Sequence, residues 1–494
     1  MRRLSIRRAV LVAAGVAVLA IPWASAGPGA ASANIKVSGA SPFAACTADD
    51  VAGQPGTNFA NSEVEPSVEA SSVDRSGDGV PDAIGAYQQD RWSNGGARGI
   101  VASVFHGGAW LQRVIPGVST CSGGSFNRAT DPWVAISPNG DAYVMTLTFQ
   151  DFPTFSTSII YVNKSIDGGL TWGPPTQLVR DDSLLQFNDK NSMTADPFDS
   201  NFAYAIWDRS RFPSDKRELH SISGFPRSLR SDAIFTRTTN GGASWEPARP
   251  IFAPKANQFG IGHQIDVVRA GPHQGRLVDV FMLFHGSGAN KKGQEIAVIA
   301  SDDRGVTWSD PITVSKALPG FVSDPDDGTP VRTGDIIPDI GAGPNGETYV
   351  VWQEASLAPS GSAIAFSKSL DGGETWSQPV RVNTRPDVQA FTPSVEALAD
   401  GTIGVTHYDL RFNTPDPATL PTDYWSLHSH NGGATWLEAR VTPTSFDLKL
   451  APFAGGLFLG DYVGLSPAGG QFLTMFTKTE ATDPASEFVS RLTP

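Results

Sequence analysis

From about residue 60 onward the chain is a succession of short apolar runs divided by Gly, Asn and Asp, without the 3.6-residue rhythm of an amphipathic helix. A run opening near a proline is followed by a glycine turn and a second run. Asp131-Pro132-Trp133-Val134-Ala135-Ile136 leads to Asn139-Gly140 and then Ala142 to Phe149. Ile337-Pro338-Asp339-Ile340 leads to Asn345-Gly346 and Thr348 to Trp352, and Thr392-Pro393-Ser394-Val395 leads to Asp400-Gly401 and Thr402 to Tyr408. Similar starts occur at Glu65-Pro66-Ser67-Val68, Lys190 to Ala195, His263 to Val268 and Asp461-Tyr462-Val463. Runs of this length between turn residues predict antiparallel strands, four to a unit.

A second repeat runs through the same region. Ser165-Ile-Asp167-Gly-Gly169-Leu-Thr171-Trp172 recurs as Ser301 to Trp308 and Ser369 to Trp376, with Asn in place of Asp in Thr238 to Trp245 and Ser429 to Trp436. Ser103 to Trp110 reads as a shortened sixth copy. The acidic or amide positions are 73, 63, 68 and 60 residues apart. Asp or Asn bonds the backbone just ahead of it and Gly supplies positive φ, so the segment closes a hairpin, and the Trp is free to anchor neighbouring sheets. These motifs resemble the Asp-boxes of sialidases and related secreted bacterial proteins, over nearly residues 60–494. With the four-strand rhythm, the resemblance implies an all-β fold, a β-propeller of four-stranded antiparallel blades. Counting first strands favours seven blades, with six as the alternative. The last unit supplies three strands, and Asn34–Ser38 is the expected fourth.

In such a wheel, starts of first strands and ends of second strands share one face, with the Trp turns on the opposite face. The central mouth is then lined by Glu65, Asp131, Lys190, His263, Asp335 and Asp461-Tyr462 from first strands. Second strands add Gln89-Asp90-Arg91-Trp92, Asp208-Arg209, His285, Gln353-Glu354 and Tyr408-Asp409-Leu410-Arg411. Carboxylates beside arginines suit acid/base work on an acidic sugar.

The sialidase resemblance carries over residue by residue. Tyr462, in Asp461-Tyr462-Val463-Gly464-Leu465, resembles the family's nucleophilic tyrosine, for which Asp461, Glu65 or Asp90 would be the base. Elsewhere the chain departs from the pattern: Val64 stands for the first carboxylate-binding arginine, Asn94 for the acid/base aspartate and Thr392 for the activating glutamate. A second arginine falls near His407 or Tyr408, with Arg411 three residues on. Candidate catalytic residues are therefore Tyr462, Asp461, Glu65, Asp90 and Glu354, paired as Asp90 with Glu65 or Glu354 with Asp131. Arg91, Asp131, Arg209, His263, Arg411 and Trp92 are the candidate substrate contacts.

Composition narrows the setting. Arg2, Arg3, Arg7 and Arg8 precede an apolar run from Ala9 to Ile21 and the small residues Ala24-Ser25-Ala26, the layout of a secretory signal over residues 1–26 with twin-arginine character. Its removal takes the net charge from −13 to −17 by deleting four arginines, which argues against nucleic acid as a partner. No run is long enough to span a bilayer. The expectation is a secreted, monomeric bacterial protein: an N-terminal segment over 27–60, then one propeller domain over 61–494. Cys46 and Cys121 are the two cysteines, a natural disulfide outside the cell. No cofactor is required. A structural calcium ion is the one metal considered, at Asp74, Asp78 and Asp82, whose alternating oxygens and glycines have the look of a calcium loop. Asp324, Asp326 and Asp327 read as a solvated loop.

The expected function is a carbohydrate-active enzyme of the sialidase-like type, a glycoside hydrolase cleaving an extracellular glycan. The alternatives are a polysaccharide lyase on the same fold and a non-catalytic propeller that binds glycan or protein.

Overall fold

The computed structural model describes residues 33–150, 156–212, 230–255, 258–286 and 293–494. The expected signal, residues 1–26, lies outside them. Strands dominate, and the helical segments are single 3₁₀ turns such as Val51–Gly53 and Leu448–Leu450. Among the described residues no helix is long and apolar enough to cross a membrane.

Among the described residues, all but a few short strands pair into seven four-stranded antiparallel units. Unit one comprises Glu63–Ala70, Ala83–Arg91, Ala97–His106 and Ala109–Val114, and unit two Arg128–Ile136, Ala142–Phe149, Ser158–Ser165 and Thr176–Asp181. Units three and four begin at Gln186–Ala195 and Gln258–Val267, units five and six at Asp339–Ala342 and Ala390–Ala397. Unit seven has Gly464–Ala468, Gln471–Glu480 and Asp483–Leu492, and its fourth strand is Ile35–Lys36 from the opposite terminus, paired Ile35 to Val489 and Lys36 to Phe488. Units one and two are joined by a single pairing, Ala97 to Ala129. The first strand of each unit lies beside that of the next, and that of unit seven lies beside that of unit one. This closed order of antiparallel sheets is consistent with a β-propeller.

The core is divided accordingly into layers between neighbours. Tyr143 and Leu147 of unit two meet Trp207 and Ile234 of unit three, Val278 and Val298 of unit four meet Val350 and Trp352 of unit five, and Tyr408 and Tyr424 of unit six meet Phe472 and Phe476 of unit seven. Each sheet is thus apolar on both faces, which explains runs of apolar residues without strict alternation.

The repeated turns join third to fourth strands in units two to six. In the first, Gly169 N–H donates to Ser165 Oγ (2.8 Å) and Thr171 N–H to Asp167 Oδ1 (2.9 Å), while the Thr171 hydroxyl donates to Asp167 Oδ2. The Asn copies reverse one bond: Asn431 Nδ2 donates to Thr435 Oγ1 (2.8 Å), which is why either residue serves. Each tryptophan packs on the preceding unit, Trp245 against Tyr143, Trp308 against Phe235 and Trp436 against Phe366. The shortened sixth copy is different: Gly107-Gly108 alone joins two strands in a tight hairpin, with no Asp or Asn to close a longer turn.

Cys46 and Cys121 form a disulfide with Cα atoms 5.6 Å apart, tying the N-terminal segment to the loop after unit one. Arg98, bonded to Asp49 (2.6 Å) and to the Cys46 carbonyl (2.7 Å), reinforces the tie.

Candidate functional site

Five first strands share one irregularity near their start. In units one, two, three, four and six the register slips by one residue, so that Glu65-Pro66, Asp131-Pro132, Lys190-Asn191, Gly262-His263 and Thr392-Pro393 each oppose a single residue of the second strand. These are β-bulges, which excuse a proline from the ladder and re-aim side chains. The leading residue has positive φ in all five: 57° at Glu65, 50° at Asp131, 49° at Lys190, 74° at Gly262 and 50° at Thr392. Glycine suits that conformation; elsewhere the backbone carries a strain of roughly 1–3 kcal/mol each, a cost that clusters at functional sites.

The strained positions of units one to three, with Asp461 of unit seven, converge. Lys190 Nζ contacts Asp461 Oδ2 at 2.5 Å. Arg332 grips the same carboxylate by both edges, Nε to Oδ1 at 2.9 Å and Nη2 to Oδ2. Asp461 N–H donates to Glu65 Oε1 (3.3 Å), and Gln88 donates to Glu65 Oε2. Arg91 donates to Gln88 Oε1 (2.7 Å) and, like Arg332, lies over the Phe458 ring. Asp131 accepts from the Lys190 N–H (3.2 Å) and from the Thr130 hydroxyl (2.9 Å). Glu65, Arg91, Asp131 and Asp461 are buried, whereas Asp189, Lys190, Arg332 and Asp335 are half-buried and form the side open to solvent.

The charges sort the protons. Burial, with the Asp131 and Asp461 charges adding to it and Lys190 and Arg91 opposing, pushes the Glu65 carboxyl up to about 8. Burial acts the same way on Asp461, but Arg332 and Lys190 outweigh it and hold that carboxylate far below the usual range. Asp335 is pushed up to about 6, by burial and by Asp461. The cluster therefore offers one protonated carboxyl beside an ionised one, with two cations at the lip.

Tyr462 belongs to the same cluster but not as an activated nucleophile. Its hydroxyl donates to the Pro132 carbonyl (3.2 Å) and its ring packs on Trp133 at 5.2 Å. Burial and the Glu65, Asp131 and Asp461 charges hold the phenol well above its ordinary value.

The remaining candidates are dispersed. Asp90 faces Ser41 (2.7 Å), the Asn61 N–H (2.8 Å) and Arg98 (3.5 Å), so the expected pairing with Glu65 is replaced by a tie to the N-terminal segment. Glu354 accepts from Leu318 N–H, Ser356 and Trp352 Nε1, a cap that is spoken for and not a partner of Asp131. Arg209 pairs with Asp181 (2.9 Å), and Arg411 with Asp409 (2.6 Å) and Glu438 (2.7 Å), over the Trp425 ring. His263 is fully buried against Asp279 (2.6 Å) and the Phe281 ring. Trp92 is buried under the Arg128 guanidinium at 3.8 Å and has no face left for a sugar. Asp74, Asp78 and Asp82 each serve a different partner: Asp74 accepts from Gly77 and Gly79, Asp78 from Val80, and Asp82 from Arg75 N–H while facing His106. Asp324 is buried and paired with Lys449 (2.5 Å), where a solvated loop was expected.

Arg332 is what sequence reasoning left out of the site, while Lys190 was placed at the mouth but not among the candidate catalytic or substrate contacts. Lys190 had a signal, since it occupies the same start position as Glu65 and Asp131. Arg332 had none: it lies in an insertion before unit five, on Pro330–Arg332, a strand of a small sheet with Val322–Ser323 and Leu457–Phe458.

No known protein-family model matches the chain. It is 23% identical over 393 residues to a sialidase of Micromonospora viridifaciens, an alignment covering 65% of this chain and 54% of that protein. The chain thus spans about half the length of the curated relative it matches. Among solved structures it is similar to a Hadza microbial sialidase, with TM-score 0.48 and 14% identity over 85% of this chain and 74% of that one. It is also similar to the intramolecular trans-sialidase of Ruminococcus gnavus, with TM-score 0.45 and 13% identity over 74% and 95% of the two chains. Each of these relatives is a sialidase or trans-sialidase, and over the aligned part the chain is similar to them.

Proposed function

We propose that this chain is a secreted, seven-bladed Asp-box propeller that hydrolyses glycosidic bonds to an acidic sugar, a sialoside first among them. The observation that carries this reading is Glu65, a buried carboxyl on a strained bulge, kept protonated beside ionised Asp461 and the cations Arg332 and Lys190. Glu65 gives its proton to the leaving glycosidic oxygen, as a general acid must. Arg332 and Lys190 receive the carboxylate of the sugar with donors that Asp461 does not use, since Lys190 has three and Arg332 five. Asp131, whose two oxygens each accept a hydrogen bond, is the carboxylate that directs water. Seven closed units and five Trp-terminated turns support the architecture; the apolar leader and the disulfide support export.

A second reading, a propeller that binds acidic glycans without cleaving them, is favoured by one observation: the Tyr462 hydroxyl donates to a backbone carbonyl rather than to one of the neighbouring carboxylates. Incubation with sialyllactose and a panel of plant and microbial polysaccharides, followed by reducing-end and ultraviolet assays, separates the two. Release of free acidic sugar that is lost in Glu65→Gln supports hydrolysis, and unsaturated product would instead mark a lyase. Binding without new ends supports the second reading, and neither binding nor turnover overturns both.

A further inference from the structure

The axis of the wheel carries a second set of charges, at the end away from the mouth. The first strands of units one, four and six each hold an acid three residues beyond the second member of the bulge: Glu69 after Pro66, Asp266 after His263 and Glu396 after Pro393. Units two and three hold Ala135 and Thr194 at that level, and unit five holds Gly341, three residues after Pro338. A Cβ at Gly341 would lie 2.6 Å from the Val395 carbonyl oxygen, so its absence lets the strand of Glu396 approach. Arg269 stands in the turn that follows the first strand of unit four. Units one, four and six are not neighbours, yet Glu69 is acted on by Arg269 and Asp266, and Glu396 by Arg269, Asp266 and Glu69. Charges from non-adjacent units that act on one another meet across the axis.

Glu69, Asp266, Glu396 and Arg269 are all half-buried. Asp266 Oδ1 accepts from the Val267 N–H (2.7 Å), but among the described residues Asp266 Oδ2 and Arg269 Nε have no hydrogen-bond partner. The arginine is therefore matched to the ring by charge and not by a fork of direct bonds. A fourth acid, Asp339 of unit five, accepts from the Ser394 hydroxyl and the Val395 N–H, both at 2.8 Å, and adds its charge to Glu396. The mouth sets Lys190, Arg332 and Arg91 against its carboxylates, whereas among the described residues the one cation acting on these acids is Arg269.

We propose that Glu69, Asp266 and Glu396 form with Arg269 a charge lock across the axis, which holds units one, four and six together and slackens as the acids lose protons. Burial pushes Glu69 up to about 7, with Asp266 adding and Arg269 and the Ser466 hydroxyl opposing. Burial, with Asp266, Glu69 and Asp339 adding and Arg269 opposing, holds Glu396 well above its ordinary range. Burial also raises Asp266, against Arg269 and the N–H groups of Val267 and Ala342. Asp339 is pushed up to about 7, by burial and by Asp266, against Ser394 and the N–H groups of Val395 and Ile340, and Tyr424 faces it as well. The unfolded chain releases a glutamic acid proton near pH 4.5, so between that value and about 7 the native state binds more protons and stability falls as pH rises. As protons leave, the ring depends more on its single guanidinium. The lock stands whether or not the mouth cleaves a glycan.

The test is thermal melting of the full chain at pH 6 and pH 8, which needs no substrate. Arg269→Gln should stay closer to the wild type at pH 6 and lose about 2–4 °C more at pH 8. Adding Glu396→Gln to that variant should restore part of the loss at pH 8, since it removes one of the charges left without a partner. Arg269→Lys keeps the charge and should follow the wild-type profile. Other buried acids such as Glu63 are common to all these chains and cancel in the comparison. A loss in Arg269→Gln that is equal at both pH values, or a double variant that melts lower still, would make Arg269 a packing residue and overturn the lock. Should Arg269→Gln fail to fold, Glu396→Gln alone decides: its melting temperature declines less than that of the wild type between pH 6 and pH 8 if the lock exists, and an unchanged decline overturns it.

Discussion

Two sets of repeated segments sit at the two ends of these sheets, and they repeat in opposite ways. The five Trp-terminated turns keep one chemistry: a glycine N–H bonds the leading hydroxyl every time, an Asp or Asn ties the Thr or Ser four residues on, and the Trp packs on the preceding unit. The five bulges keep one backbone while their leading side chain changes, Glu65, Asp131, Lys190, Gly262 and Thr392. A motif that holds units together must present the same surface at each junction. A motif that surrounds a mouth is free to differ, and four non-glycine residues accept a left-handed backbone there that glycine would adopt at little cost. The charged members belong to consecutive units, so the cluster occupies one half of the ring.

If that contrast is right, substitutions at the mouth and at the turns should separate activity from stability. The largest effect is expected at Asp461, which holds two cations. Asp461→Asn leaves the half-buried Arg332 and Lys190 without their shared anion, at a cost of about 3 kcal/mol. Hydrolysis of sialyllactose should fall below detection, and thermal melting should report the lost stability. Next is Glu65→Gln, which keeps the shape but removes the proton. Turnover should drop by about 10² to 10⁴-fold, with the fold intact by circular dichroism. Because the folded-state pKa is raised to about 8, the acid is protonated below that pH and lost above it. Wild-type kcat/KM should therefore decline as pH rises through about 8, and residual activity in Glu65→Gln should lack that limb. A wild-type profile flat from pH 6 to 9 would remove Glu65 from the acid role.

Much of this was legible before any coordinates. The Gly and Asn punctuation marked the strand ends, and the Trp turns marked the units, because both are local signals. Glu65, Asp131, Arg91, Asp461 and Tyr462 were placed at one mouth because each lies at a strand end that the repeat itself defines. What failed was pairing. Asp90 follows Gln89 at the right strand end, yet its carboxylate turns to Ser41 and Asn61 of a segment outside the repeat. Glu354 turns to the insertion at Leu318. Arg332 enters from that same insertion, which stands outside the four-strand repeat. Contacts made by segments that do not repeat carry no periodic signal, and they decide which rim groups face the centre.

At the turns the expected effect is smaller and purely structural. Gly169 has φ of 90°, and a Cβ there would lie 2.8 Å from Ile84 Cδ1 and 3.0 Å from Val104 Cγ2 of the preceding unit. Gly169→Ala combines backbone strain with overpacking, about 2 kcal/mol, read as a lower melting temperature. Activity per folded molecule should be unchanged, and a loss of turnover without a loss of stability would mean that the turns do more than hold units together.

The finest test lies on one strand, where Glu63 and Glu65 are two residues apart and both titrate high. Burial, then the charge of Asp483, with Glu487 adding and Ser38 and Gln89 opposing, pushes the Glu63 carboxyl up to about 9. Glu63 bonds Gln89 (2.5 Å) beneath the N-terminal strand, and Ser38 of that segment bonds the Glu487 N–H (2.9 Å). Tyr87 also faces this acid, and Lys36 pairs with Asp483 (2.9 Å). The unfolded chain releases the Glu63 proton near pH 4.5, whereas the folded chain keeps it to about 9. Between those values the native state binds more protons, so stability falls as pH rises, by at most about 1.4 kcal/mol per pH unit for one group. Glu63→Gln removes that contribution: its melting temperature should decline less than that of the wild type between pH 6 and 9, while its activity profile keeps the limb near 8. If Glu63→Gln instead erased the activity limb, the proton attributed to Glu65 would belong to the scaffold, and the division between mouth and frame would fail on the strand where the two are closest.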